Sequence, residues 1–157
     1  MRVIEAAQGA GAMVHFGASP EVIAARGRGR LGFLASPVSG RVADEADSLW
    51  FLLERMIVEC GIDLDALAGA GVVAISPVLM ALEMIRSRGG GALAAVHGTR
   101  GVLAQECWRH WSGVMLARCD FVVVADRPGW QESRGIAREF ELALARNRPV
   151  FFMGVSG

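Results

Sequence analysis

Four short runs of consecutive apolar residues constrain the fold more than any other feature of this sequence. They are Leu31–Ala35, Val72–Ser76, Phe121–Ala125 and Pro149–Met153, and none of them alternates polar with apolar side chains. Continuous apolar strands are required where a sheet is covered on both faces, as most parallel sheets are. The hydrophobic content of 53% agrees with such a buried sheet.

Helical periodicity fills the segments between these runs. Apolar residues recur at steps of three and four from Val42 to Cys60, and Gly61 predicts the end of that helix. A short turn is predicted at Asp63–Ala68, and further helices at Leu79–Arg86, Val102–Arg118 and Gly135–Arg146. Strands that alternate with helices predict a single-domain α/β fold. We expect a doubly wound parallel sheet of four to five strands with helices on both faces, Rossmann-like or flavodoxin-like.

The N-terminal part of the chain is harder to interpret. Residues 1–30 are predicted to be an extension of uncertain structure, ahead of an α/β domain at 31–157. Within it the pattern indicates only a weak strand near Met13–Phe16 and a weak helix after Ser19. The glycine-rich segment Ser87–Gly101 is predicted to be a loop.

Charge and cysteine content exclude several classes of protein. The 16 Lys and Arg residues balance 16 Asp and Glu residues, which argues against a nucleic-acid polymer or an acidic membrane as partner. Three cysteines without a C-x-x-C pair indicate a reducing compartment, and no His or Cys spacing suits a zinc site. With no bilayer-length apolar run and no signal-peptide pattern, we expect a cytoplasmic protein without a bound metal.

Small and hydroxyl-bearing residues follow the predicted strands, where open parallel sheets bind their ligands. Ser36, Pro37, Ser39 and Gly40 follow the first strand, and this loop would let backbone amides approach a phosphate, although it lacks the full glycine fingerprint. Ser76 ends the second predicted strand in the same way. These residues are candidate contacts to a bound ligand.

Asp126 ends a central strand, which is a favoured place for a functional acid. The equally open alternative is that its carboxylate caps the Pro128-Gly129 turn.

Glu139 is the best candidate active-site residue. At about 100° per residue it lies on the edge of the buried stripe that begins at Ile136, whereas Glu141 points away. A carboxylate withdrawn from water near a helix N-terminus, and kept ionised by the helix dipole, suits a nucleophile or a stabiliser of a sugar cation. The alternative is a glutamate at the solvent edge paired with Arg134 or Arg138.

Three more candidates lie on the segment leading into this last helix. Ser133 is a suitable N-cap, and its hydroxyl together with the free amides around Gly135 could hold a phosphate. Trp130 is either a core residue or a ring that stacks on a base.

Three stretches of the sequence together resemble the nucleoside 2-deoxyribosyltransferase-like superfamily, in particular its DUF1937 branch. The stretches are FLASPVS from Phe33, AISP from Ala74, and Ala117–Val150. The last is the most specific: a strand ending in Asp, then Pro-Gly-Trp, then Glu-Ser-x-Gly, then Glu and a closing strand. The resemblance covers most of residues 31–154.

The resemblance implies roles for individual residues. Glu139 would attack the anomeric carbon, displace the base and form a glycosyl ester. Ser133 would hold a 5′-phosphate, since the transferases have aspartate there and the nucleotide hydrolases have serine. The Ser36–Gly40 loop would line the sugar-phosphate pocket. No organic cofactor or metal is implied, and related enzymes are homodimers or higher homo-oligomers in which a neighbouring chain completes each site.

The chain departs from the superfamily pattern at positions that bear on catalysis. Ser112 stands where an aspartate commonly helps to protonate the leaving base, the chain has no tyrosine, and Leu79 and Met80 stand where histidines are often found. Asp126 or a residue of a neighbouring subunit would have to protonate the base. We therefore expect cleavage or transfer of the N-glycosidic bond of a nucleoside 5′-monophosphate or nucleoside. The alternative is a non-catalytic nucleotide-binding or sensing domain.

Overall fold

The computed structural model describes residues 11–38, 49–87 and 105–154, and the strands within them form one parallel sheet. The strands are β1 (Val14–Ala18), β2 (Leu31–Ala35), β3 (Val73–Ile75), β4 (Phe121–Ala125) and β5 (Val150–Met153). The helices are α1 (Pro20–Gly27), α2 (Leu49–Gly69), α3 (Pro77–Ser87), α4 (Gln105–Arg118) and α5 (Arg134–Ala145). The predicted α/β fold with a parallel sheet is confirmed.

The order of the strands across the sheet is β1-β5-β4-β2-β3. From β2 the chain first moves outward to β3 and then returns to the other side of β2 to form β4. The direction of winding therefore reverses between β2 and β4. In open α/β sheets, the crevice beyond the carboxyl ends of such a pair is the usual place for a ligand.

Helices cover both faces of the sheet, which explains why the strands are continuously apolar. Val122 and Val124 face the cluster formed with α4 and α5, whereas Phe121 and Val123 face the cluster formed with α1 and the end of α2. All five residues of β4 are consequently buried. Because successive side chains of a strand point to opposite faces, a strand covered twice has no polar position.

The predicted helix end at Gly61 is wrong. α2 continues without a break to Gly69 and includes the separate turn that the sequence suggested at Asp63–Ala68. The buried side of the helix, which contains Cys60, continues beyond the glycine through Leu67. Here the core contacts made beyond Gly61 outweigh the tendency of a glycine to end a helix.

The N-terminal segment belongs to the sheet. β1 pairs in parallel with β5, and Ser19 caps α1 by accepting a hydrogen bond of 3.4 Å at its Oγ from the Val22 amide. A Cβ atom on Gly32 would lie 2.5 Å from the Phe121 ring, and one on Gly27 would lie 2.8 Å from it. The ring thus fills the space that these two glycines leave. The division of the chain at residue 30 stays a prediction. The predicted loop Ser87–Gly101 lies outside the described residues except for Ser87, which ends α3.

Candidate functional site

A narrow cleft with a cavity volume of about 10 Å³ opens where the sheet reverses its winding. It is lined by residues that follow β2 and β4 and by one side of α2: Ser36, Pro37, Met56, Glu59, Cys60, Asp63 and Arg127. This volume is about the space of one bound water and far below the roughly 300–1,000 Å³ typical of small-molecule pockets. Residues 39–48, which continue the β2 loop and include the candidates Ser39 and Gly40, lie outside the described residues.

A two-point ion pair forms one wall of the cleft. Arg127 donates from Nη2 to Asp63 Oδ1 at 2.6 Å and from Nε to Asp63 Oδ2 at 3.1 Å. The same Nη2 also donates to the Glu59 carbonyl at 3.4 Å. Because Asp63 is buried and the guanidinium is mostly covered, this contact fixes the loop after β4 against α2.

Ser36 is the polar group of the cleft whose bonding is incomplete. Its Oγ is buried, and no hydrogen bond of ordinary geometry satisfies it within the described part of the chain. Burial raises the pKa of the neighbouring Cys60 thiol, and the hydroxyls of Ser36 and Ser76 oppose that rise. Ser76 itself caps α3 by accepting from the Leu79 amide at 3.2 Å. An unsatisfied buried hydroxyl beside a cleft is a natural contact for a polar ligand atom.

A tight turn leads from β4 to α5. The Trp130 amide donates to the Arg127 carbonyl at 3.1 Å, and Gly129 at the third position has φ +84°. Pro128 followed by a glycine of positive φ is the sequence of a type II turn. Trp130 is buried, and its ring packs at 5.2 Å from that of Phe152. The side chain therefore anchors the loop in the core, and its stacking on a base stays a prediction.

Ser133 caps α5. Its Oγ is buried and accepts a hydrogen bond of 3.3 Å from the Ile136 amide. The first turn of the helix carries no acidic residue, Arg134 is exposed at its first position, and Gly135 is half-buried behind the cap. An N-terminus without a carboxylate of its own keeps the positive end of its dipole available to an anion.

Glu139 is buried on α5, with 6% of its surface exposed, whereas Glu141 is exposed. The helix packs against β4 and β5 and alongside α4. Within the described residues its carboxylate makes no hydrogen bond or ion pair, so the alternative pairing with Arg134 or Arg138 is not formed. Arg138 instead reaches α4, where it donates to the Arg109 carbonyl at 3.5 Å.

Burial controls the ionisation of Glu139. It raises the pKa of the carboxyl from 4.5 to about 8, against a smaller lowering by the charge of Arg138. The sequence led us to expect that the helix dipole would keep this group ionised. Desolvation outweighs the dipole here because the carboxylate is largely withdrawn from water without a hydrogen-bond donor among the described residues.

The position where the superfamily commonly has an acid, Ser112, and the residue expected to replace that acid, Asp126, differ in character. Ser112 is buried on α4, where its hydroxyl donates to the Trp108 carbonyl at 2.7 Å. Asp126 is exposed beyond β4, next to Gly154, where an added Cβ atom would lie 3.5 Å from the Asp126 side chain. No described hydrogen bond joins its carboxylate to the Pro128 turn, so the acid is available to solvent.

The structure brings only some of the predicted residues together. Ser36 and Pro37 line the cleft, while Glu139 lies on the other side of the sheet, on α5, and is not part of its lining. The Asp63–Arg127 pair was missed by the sequence interpretation. The signal for it was an acidic residue on the buried side of α2, between Cys60 and Leu67, since a buried carboxylate requires a partner.

Comparison with known proteins identifies a family. A family model described as a domain of unknown function, DUF1937, matches residues 30–155. No curated protein matched the sequence. Among the residues described, no helix is long and apolar enough to span a bilayer, and no group of three or more His, Cys, Asp or Glu side chains is placed to hold a metal ion.

Proposed function

The chain belongs to the DUF1937 family, and from that premise we propose that it cleaves or exchanges the N-glycosidic bond of a nucleoside 5′-monophosphate or nucleoside, with Glu139 as nucleophile. The observation that carries the proposal is the carboxyl of Glu139 itself. It is buried one turn inside a helix that starts at the carboxyl edge of the sheet, and no described residue bonds to it. A buried carboxyl without a structural partner reduces stability, which is typical of functional sites.

In this proposal the ionised carboxylate of Glu139 attacks the anomeric carbon. A carbon–oxygen bond forms as the carbon–nitrogen bond breaks, and the electron pair of that bond leaves on the base, which takes up a proton. Water or a second base then displaces the glutamate from the glycosyl ester. Positive charge that develops on the sugar favours the ionised carboxylate, so substrate lowers the pKa that burial raises.

The start of α5 would hold the 5′-phosphate. The Ser133 hydroxyl accepts from its own helix and keeps its proton free to donate, and the exposed Arg134 adds positive charge at the same end. In this proposal the Ser36 hydroxyl, which follows β2 at the same carboxyl edge of the sheet and has no hydrogen-bond partner among the described residues, would be a further polar contact. Serine rather than aspartate at 133 favours a phosphorylated substrate, in line with the resemblance to the deoxyribosyltransferase-like superfamily.

Asp126 is the auxiliary acid of the proposal. Ser112 has no acidic proton to give, whereas Asp126 is an exposed carboxyl at the end of the central strand. General acid assistance is typically worth about 10²–10⁴-fold in rate. Replacement of Asp126 by Asn should therefore reduce base release by about 10²-fold without abolishing it.

The direct test is base release from a panel of nucleoside 5′-monophosphates, followed by chromatography. Wild-type protein should release free base, Glu139→Gln should release none, and Glu141→Gln, on the exposed side of the same helix, should behave as wild type. Mass spectrometry of intact protein with a slow 2′-fluoro substrate should show one glycosyl group on wild type. Absence of base release from every nucleotide and nucleoside in the panel would reject the catalytic proposal.

Ser133→Asp tests the assignment of the phosphate. Aspartate caps helices as well as serine does, so α5 should be retained. The variant should lose activity or affinity for 5′-monophosphates through charge repulsion and retain or gain it for unphosphorylated nucleosides. Equal losses for both kinds of substrate would contradict a phosphate contact at this position.

A non-catalytic nucleotide-binding domain is the second candidate, and Ser112 is the observation that favours it. Its hydroxyl is tied to the Trp108 carbonyl at a position where the related enzymes place an acid. This function predicts a rise in melting temperature with nucleotide, no base release, and no effect of Glu139→Gln on the affinity.

A further inference from the structure

One face of α2 carries a regular pattern that the proposed function does not use. Its positions repeat at steps of four and three residues, the spacing of a coiled-coil seam. The residues are Phe51, Arg55, Val58, Ile62, Asp65 and Gly69, and all six are exposed. They lie opposite the side of the helix that is buried with α3, to which Leu53 and Met56 belong.

The apolar members of this seam are unusually open to solvent. Phe51 is 76% exposed, Val58 57% and Ile62 55%. Isolated exposed apolar residues are common, but three aligned on one helix face for roughly 16 Å, at 1.5 Å per residue, indicate an interaction surface.

The seam is complementary to itself when two copies run antiparallel. With a two-fold axis that crosses the seam at the height of residue 60 along the helix, Val58 faces Ile62 of the second copy, Arg55 faces Asp65, and Phe51 faces Gly69. Each facing pair therefore places an apolar side chain against an apolar one, a positive charge against a negative one, or a large residue against a small one. A two-fold interface requires such matching, because each contact occurs twice.

The local geometry allows the two helices to approach each other. A Cβ atom on Gly61, next to the axis, or on Gly69 would meet nothing within 4 Å. Asp65 makes no ion pair within the described residues, and Arg55 donates only one of its five N–H groups to Glu59, at 2.9 Å. Glu59 also flanks the axis, but its side chain is only 12% exposed and turns back onto Arg55.

We propose that this face of α2 binds a second copy of the chain as an antiparallel, two-fold helix pair. The seam runs from Phe51 to Gly69, a distance of about 27 Å along the helix. A second copy is the expected partner because Arg55 and Asp65 are complementary in charge. These two residues are placed symmetrically about the same point of the helix as the apolar pair and the large–small pair.

The first test is the state of association by analytical ultracentrifugation over a range of concentrations. Wild type should be a dimer. Val58→Asp places a charge in the centre of the seam and should give a monomer. Val114→Asp is the matched control, because Val114 is 50% exposed on α4, away from the seam, and should remain a dimer. Circular dichroism shows that each variant is folded.

A charge exchange tests the register. Arg55→Asp alone, and Asp65→Arg alone, place like charges opposite each other twice per dimer and should weaken association about 100-fold, at roughly tenfold for each contact. The double variant restores opposite charges and should recover most of the lost affinity. A monomeric wild type, a Val58→Asp dimer, or a double variant no tighter than the single ones would each overturn the proposal. None of these results depends on base release, so the proposed function stands or fails separately.

Discussion

Replacement of Glu139 by Gln should change how the stability of the protein depends on pH. The folded chain holds this carboxyl with a pKa of about 8, against 4.5 for an ordinary glutamate. Between these values the folded state binds more protons than the unfolded state, so the stability of wild type falls as pH rises through this range. Glutamine has nearly the same shape and cannot ionise, so this contribution is absent from the variant.

The magnitude follows from the separation of the two pKa values. At about 1.4 kcal/mol per pH unit, the raised pKa of Glu139 corresponds to about 5 kcal/mol in total, of which about 4 kcal/mol falls between pH 5 and pH 9. The free energy of unfolding of Glu139→Gln, relative to wild type, should therefore increase by about 4 kcal/mol across that range. With a urea m-value of about 2 kcal/mol per molar, the midpoints should separate by about 2 M.

Urea unfolding at a series of pH values measures this difference directly. The other titrating groups contribute equally to wild type and variant and cancel in the comparison. Glu141→Gln, on the exposed side of α5, is the control and should give a profile parallel to that of wild type. If Glu139→Gln also gave a parallel profile, the carboxyl would ionise normally in the folded protein, and the argument from its burial would fail.

Three further predictions concern the cleft, the sheet and the reaction. Asp63→Asn should lower the free energy of unfolding by about 1–3 kcal/mol in chemical denaturation, because it leaves the partly covered Arg127 guanidinium without its carboxylate. Gly32→Ala should cost about 1–3 kcal/mol through contact with the Phe121 ring, and Phe121→Leu in the same chain should reduce that penalty. If the protein releases base, kcat/KM of the Asp126→Asn variant, in which Glu139 is the titrating carboxyl of the proposed mechanism, should rise about 50-fold from pH 6 to pH 8, since the nucleophile must be the ionised form of Glu139.

Each of these has a result that contradicts it. Glu83→Gln removes a surface ion pair of 2.7 Å with Arg86 and should lower the free energy of unfolding by much less than Asp63→Asn does. Equal losses of free energy would mean that the buried pair stabilises the fold no more than a surface pair. Additive effects of Gly32→Ala and Phe121→Leu would show that the ring is not the obstacle. A rate that falls above pH 7 would assign the protonated carboxyl of Glu139 to the chemistry.

The resemblance predicted the DUF1937 family of the chain. The order of serine, glycine and glutamate around the start of α5 indicated where the candidate residues lie. Ser133 as a helix cap and Glu139 on the buried stripe are local consequences of helical spacing, and both were predictable. The pKa of Glu139 was not. Its value depends on how completely the sheet and the neighbouring helix exclude water, which no spacing along one helix specifies.

By itself, the sequence determined the strands whose burial on both faces is evident from their own apolar residues. Leu31–Ala35 and Phe121–Ala125 have the same bounds in the structure as in the prediction, because a strand covered on both faces must be apolar at each position. Only the tertiary structure decided that α2 continues through Gly61, that β1 lies beside β5, and that Asp63 meets Arg127 from 64 positions away. These features arise from contacts between segments distant in sequence, and the free energy of such contacts overrides local preference.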